Sequence, residues 1–154
     1  MTVTLNVGEL APDFTLFNDN EQPISLSKLR GKKVVLYFYP KDDTPGCTKE
    51  ACDFRDHFAI FKKHGVEIFG ISKDNAKAHR KFKEKYALPF PLLVDSNGDV
   101  CTAYGVIDKK SLFGKTFLGI KRSTFLIDEK GILRGIWHKV KVPGHVEQIL
   151  NELS

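Results

Sequence analysis

The sequence predicts an α/β chain, a mixed sheet with helices on both faces, in one domain spanning residues 1–154. Three observations carry that prediction. Lys33–Tyr39 and Val66–Ser72 are unbroken β-branched and aromatic runs, the pattern of central strands covered on both faces. Helical stretches lie between these runs and after the second, and strand, helix, strand in that order means a right-handed crossover and parallel neighbours. Finally, Thr124–Ile127 and Ile132–Trp137 flank the turn residues 128–131 and read as an antiparallel hairpin, which makes the sheet mixed.

The elements follow in order. Ala11–Phe17 alternates apolar and polar residues like a half-buried strand, and Asn18, Asp19 and Asn20 mark a turn. Pro23–Leu26 is a short extended segment followed by one helical turn near Ser27–Leu29, with Gly31 as its stop. After the first central strand, a helix begins at Pro45 and extends to about Lys63, with Phe54, Phe58 and Phe61 spaced to form one apolar face and Gly65 as its stop. Asn75–Tyr86 is a basic surface helix closed off by Pro89. Leu92–Val94 is a short strand, Val100–Val106 a brief helix or loop, Lys109–Ile120 a hairpin or exposed connection, and a final helix after Pro143 buries Val146, Ile149 and Leu150.

Composition narrows the function classes. At 42% hydrophobic and 28% charged residues the chain is globular rather than disordered, and 154 residues suit one well-buried core. The net charge of +5 permits attraction to nucleic acid, but the lysines are dispersed and lack aromatic or arginine-rich patterning, so they read as a solvated surface. No apolar run is long enough to span a membrane and the N-terminal residues lack a signal-peptide pattern, so a cytoplasmic protein with no membrane partner is expected. Three cysteines, Cys47, Cys52 and Cys101, are too few and of the wrong parity for a secreted disulfide scaffold and suit reduced thiols with a redox or catalytic role. The histidines, His57, His64, His79, His138 and His145, show no Cys/His zinc spacing, so no metal and no cofactor are expected.

The chemistry concentrates between Tyr39 and Cys52. With Thr44 as N-cap and Pro45 at the first helical position, Cys47 takes the third position, where unpaired backbone N–H groups and the positive end of the helix dipole favour a thiolate. The spacing Pro-x-x-x-Thr-x-x-Cys, formed by Pro40, Thr44 and Cys47, closely resembles the motif of the peroxiredoxins. Ala11–Phe14, Phe38–Pro40, Ala103–Val106 and Arg122–Asp128 are similar to further segments of that family, so the resemblance covers nearly the whole chain.

That resemblance implies a thioredoxin-like fold and a thiol-dependent peroxidase acting on hydrogen peroxide and organic hydroperoxides. Cys47 would be the attacking thiolate. Arg122 matches the family's active-site arginine, and its planar fork can hold a thiolate and a peroxide oxygen together; a surface arginine flanking a strand is the competing reading. Thr44 offers a hydroxyl to the peroxide, the N–H groups of Gly46 and Cys47 can cradle its oxygens, and the Pro40 ring shields the sulfur from water. Glu50 resembles the family's glutamate that orients the loop, although a solvated first-turn carboxylate has the same sequence signature. Cys52 looks like the resolving cysteine of the bacterioferritin comigratory protein, or Q-type, subfamily, forming a disulfide with the Cys47 sulfenic acid that thioredoxin or a similar dithiol then reduces. Cys101 reads as a buried structural thiol, and the subfamily resemblance favours a monomer. The alternative is a non-enzymatic redox sensor or chaperone-like binder using the same cysteine.

Overall fold

The structure, a computed structural model, describes residues 3–153; Met1 and Thr2, part of the N-terminal stretch read above, lie outside them. Among the described residues the strands are β1 (Thr15–Asn18), β2 (Pro23–Ser25), β3 (Lys33–Phe38), β4 (Val66–Ser72), β5 (Leu92–Val94), β6 (Ile107–Leu112), β7 (Lys115–Ile120), β8 (Ser123–Ile127) and β9 (Leu133–His138). The α-helices are α1 (Pro45–Asp56), α2 (Phe58–Lys63), α3 (Ala76–Lys85), α4 (Asp99–Ala103) and α5 (His145–Leu153), with a 3-10 turn at Leu26–Leu29. Seven strands form one sheet in the order β2-β1-β5-β4-β3-β8-β9, and β6 pairs with β7 as a separate hairpin.

β3 is the axis of the molecule. It pairs in parallel with β4, Lys33 opposite Val66 through Phe38 opposite Ile71, and antiparallel with β8, so the sheet is mixed as expected. Because alternate residues of a strand point to opposite faces, β3 feeds two cores. Val34, Leu36 and Phe38 join Phe14, Cys101, Tyr104, Phe125 and Leu133 on one face, and Val35, Tyr37 and Tyr39 join Cys47, Phe54, Phe61, Phe82 and Ile149 on the other. Helices α1, α2, α3 and α5 cover the second face; α4 and the 3-10 turn cover the first.

One expected helix is two. The single span from Pro45 to about Lys63 breaks at His57, where the backbone flattens to φ −105°, ψ 7°. There the His57 ring Nδ1 donates to the Asp53 carbonyl at 2.8 Å, the same oxygen that takes the His57 N–H at 3.2 Å. The ring thus shares a carbonyl of the regular ladder at the point where α1 ends, and α2 starts at Phe58. The first strand is also shorter than its alternation, starting at Thr15 rather than Ala11. The basic helix is less of a surface element than its lysines imply, since it buries His79 and Phe82.

Candidate active site

β3 ends at Phe38 and delivers the chain through residues 39–44 to α1. Thr44 is the N-cap (φ −96°, ψ 156°) and Pro45 opens the helix, but the Thr44 side chain does not cap it. Its hydroxyl turns back and donates to the Lys41 carbonyl at 2.8 Å. The first-turn N–H groups of Gly46 and Cys47 have no intrahelical acceptor by position, so this end of α1 keeps its donors and its positive potential for something else.

Cys47, Glu50, Ala51 and Phe54 share the buried face of α1, at the three- and four-residue spacing of one helix stripe. Cys47 is 1% exposed. Arg122 enters from the link between β7 and β8, where its carbonyl accepts from the Val140 N–H at 3.0 Å. Its fork is divided: Nη1 donates to Glu50 Oε1 at 2.7 Å and Nη2 to Cys47 Sγ at 3.3 Å. Gly46 makes the approach possible, because a Cβ there would lie 3.1 Å from Arg122 Nη2. The sequence left two readings each for Arg122 and Glu50; the geometry removes the solvated one in both cases, since Arg122 reaches the thiol and Glu50 is 1% exposed.

The electrostatics follow from this division. Burial pushes the Glu50 carboxyl up and the charge and hydrogen bond of Arg122 pull it back, with burial prevailing at about 7. Glu50 Oε2 and the Tyr37 hydroxyl behind it are buried without a hydrogen-bond partner among the described residues, which is why burial weighs so heavily. Burial opposes the Arg122 charge, but Glu50 and Cys47 together hold the guanidinium above its ordinary value. One cation therefore serves two acidic groups. When Glu50 is protonated the charge falls undivided on Cys47; when Glu50 ionises the two compete.

Cys52 lies on the same helix, half-buried, in a surface groove with Asp43, Thr44, Pro45, Thr48, Lys49 and Tyr86. All three cysteines are free thiols. Pro40 is half-buried at the start of the loop. The structure thus brings Cys47, Glu50, Gly46 and Arg122 together, leaves Cys52 in the groove beside Thr44 and puts Cys101 in the core on the other face of the sheet. Sequence reasoning missed the anchoring of the loop: Asp42 bonds to His79 at 2.6 Å, and Asp43 to Lys85 at 2.9 Å and Tyr86 at 2.8 Å, all from α3 or its C-cap. Nothing in residue spacing pairs positions 42 and 79; a lone histidine among the lysines of that helix was the one signal.

Residues 7–136 match the model of the AhpC/TSA family. A putative peroxiredoxin bcp of Coxiella burnetii is 56% identical over 151 residues, 98% of this chain and 100% of the relative. Peroxiredoxin Bcp of Bacillus subtilis is 50% identical over 152 residues, 99% of this chain and 97% of the relative. Among solved structures, the Xanthomonas campestris bacterioferritin comigratory protein, described with its alkyl peroxide reduction activity, superposes with a TM-score of 0.87 at 41% identity, covering 91% of this chain and 89% of that one.

Proposed function

Since the chain belongs to the AhpC/TSA family and is a peroxiredoxin, a thiol-dependent peroxidase, we propose that Cys47 is its peroxide-reducing cysteine and Cys52 its resolving one. The observation that carries this reading is the Arg122 fork, 3.3 Å from Cys47 Sγ at a helix start whose side-chain cap is turned away. The thiolate attacks one peroxide oxygen, forming S–O as O–O breaks, and the other oxygen leaves as alkoxide or hydroxide and takes a proton. Negative charge moves from sulfur to oxygen, and the N–H groups of Gly46 and Cys47 and the Arg122 guanidinium are the donors beside the path it takes, while the Thr44 oxygen, its proton given to Lys41, can accept from the peroxide O–H. Pro40 and the Tyr37, Tyr39 and Phe54 rings keep water from the sulfur.

Cys47 is then a sulfenic acid. The Cys52 thiol displaces its oxygen as water, giving a Cys47–Cys52 disulfide, which a dithiol donor of the thioredoxin type reduces by exchange. Both cysteines sit in α1, five positions apart. An ideal helix separates such Cα atoms by about 8.7 Å, beyond the roughly 7 Å that a disulfide spans. The first turns of α1 unwind to make the bond. Pro45 and Gly46 suit that step, since proline donates no N–H and glycine is a poor helix former.

We read the chain as one domain, monomeric and cytoplasmic; no helix among the described residues is long and apolar enough to cross a membrane. Its substrates are hydrogen peroxide and small organic hydroperoxides. The test is peroxide consumption over many turnovers with a thioredoxin system. Sustained consumption that Cys47→Ser abolishes supports the reading, and a single stoichiometric oxidation without turnover contradicts it in favour of a redox sensor.

A further inference from the structure

An active-site helix that forgoes its side-chain cap needs its loop held by other means. Residues 40–44 carry Asp43 in the left-handed region (φ 57°), and Thr44 spends its hydroxyl within the loop. The holding groups come from α3, which packs on the same face of the sheet as α1. His79, 0% exposed in the first half of α3, places Nδ1 2.6 Å from Asp42 Oδ2 and Nε2 2.8 Å from the Leu93 carbonyl. Helix α3 is itself fixed at its start, where Asn75 Oδ1 accepts from the Ala78 N–H at 2.8 Å.

Hydrogen-bond inventory sets the protonation of this ring. A carbonyl oxygen only accepts, so Nε2 carries a proton. The proton of the Nδ1 bond belongs to the nitrogen, because a carboxyl is intrinsically the stronger acid and Asp42 already accepts from the Tyr39 hydroxyl at 2.6 Å through its other oxygen. The ring is then an imidazolium with both donors used. The groups facing it are Asp42 from the loop, Tyr39 beyond the end of β3, Asp74 beyond the end of β4 and the Leu93 carbonyl of β5; Asp74 Oδ2 in turn accepts from the Asp42 N–H at 2.9 Å and from the Ser72 hydroxyl at 2.7 Å. Asp42, Asp74 and His79 have ligand atoms within 4.8 Å of one another, as a metal site would. With both ring nitrogens committed, the cluster is an ion pair and not a ligand set.

We propose that His79 is a charged positioning residue of the peroxide-reducing step: its buried ion pair with Asp42 fixes the loop that presents Thr44, Gly46 and Cys47. This rests on the assignment of Cys47 given above. Burial alone pulls the ring down, but the hydrogen bond and charge of Asp42 and the Leu93 carbonyl outweigh it and leave His79 above the ordinary 6.5. A histidine raised on folding contributes stability that is complete below its unfolded value and is lost as pH rises through its folded one. The loop is therefore held at neutral pH and loosens on the alkaline side.

Two measurements test this. Long-range proton–nitrogen spectra of the reduced wild-type chain report both nitrogens of each imidazole, with the His79 signals identified by their loss in His79→Gln. At about pH 7, both His79 nitrogens are expected to be protonated, as their two acceptors require, and the ring is expected to lose its proton at a higher pH than an unpaired histidine does. An unprotonated ring nitrogen on His79 at about pH 7 overturns the proposal. Second, single-turnover oxidation of Cys47 by hydrogen peroxide in folded His79→Gln is expected to be about tenfold slower at neutral pH, as small displacements of reacting groups are costly. The wild-type rate also falls on the alkaline side with the His79 ionisation, whereas the variant lacks that fall. An unchanged rate and unchanged profile in the folded variant would contradict it. The spectra do not depend on peroxidase activity, so turnover surviving in Cys47→Ser removes the functional assignment while leaving the ion pair standing.

Discussion

Cys47 and Cys101 occupy the same position in their helices and are equally shut from solvent. Each is the third residue, Cys47 of α1 and Cys101 of α4, and they are 1% and 0% exposed. Their partners have opposite charge. At α1 the helix start is left without a side-chain cap and Arg122 Nη2 lies 3.3 Å from the sulfur. At α4 the buried Asp95 carboxylate takes the first-turn donors, accepting from the Val100 N–H at 3.3 Å and the Cys101 N–H at 2.8 Å. Burial pushes the Cys101 thiol far up, and the hydrogen bond and charge of Asp95 push it further. A helix N-terminus therefore does not by itself make a reactive thiol. What occupies the donors, and with which charge, decides the outcome.

The largest expected effect separates the two thiols. Cys47→Ser lowers peroxide turnover by about 10⁴-fold or more, since a serine hydroxyl stays protonated in the same field, while Cys101→Ser leaves turnover within about twofold. Steady-state peroxide consumption by the two variants breaks the comparison if both lose activity alike. Next comes the cation. Arg122→Ala is expected to slow peroxide reduction by about 10²–10³-fold, and Arg122→Lys by less, since it keeps the charge and loses the fork that also reaches Glu50. Equal rates for the wild type and both variants would place the decisive charge elsewhere.

A third contrast concerns motion. If Cys47 and Cys52 pair as proposed, the start of α1 is expected to unwind, and amides of residues 46–54 are expected to lose hydrogen-exchange protection on oxidation, by about tenfold or more, while those around Cys101 keep theirs. Unchanged protection in a chain whose disulfide is confirmed by mass spectrometry would rule the unwinding out. The smallest effect is the one that sharpens the role of Arg122. Glu50 ionises near pH 7 in the folded chain against 4.5 as the ordinary value. The folded state thus binds more protons than the unfolded state between these values, and stability falls as pH rises through that window. Glu50→Gln removes that slope from denaturation curves. It also removes an ionisation near neutrality from the rate profile of Cys47 oxidation, a change of a few-fold.

The strands and the start of α1 were legible because their signals are local. Val34 through Tyr39 announce a strand covered on both faces, and Thr44-Pro45 announces a helix start, without reference to distant residues. The break at His57 was not legible, since the apolar spacing of Phe54, Phe58 and Phe61 runs straight through it. Cys47 stood out by its motif, but the geometric argument offered for it, the third position of a helix, applies equally to Cys101; only the fold shows that Asp95 closes one helix start and Arg122 faces the other. Glu50 could be read as solvated until the link before β8 brought Arg122 to α1. His79 was set aside with the other histidines for want of zinc-ligand spacing; its partner Asp42 lies 37 residues away in sequence and meets it only through the parallel packing of β3, β4 and β5.

Cys47 and Cys101 are alike in exposure and in helix position, so the proposed difference in their reactivity falls to the charge beside each. The direct measurement is oxidation of the reduced wild-type chain with one equivalent of hydrogen peroxide, quenched over time by alkylation and read cysteine by cysteine in a mass spectrometer. The account predicts that Cys47 is consumed first, that Cys52 follows as the disulfide forms, and that Cys101 remains reduced until the chain is unfolded. Oxidation of Cys101 at a rate comparable to that of Cys47 in the folded protein would contradict it.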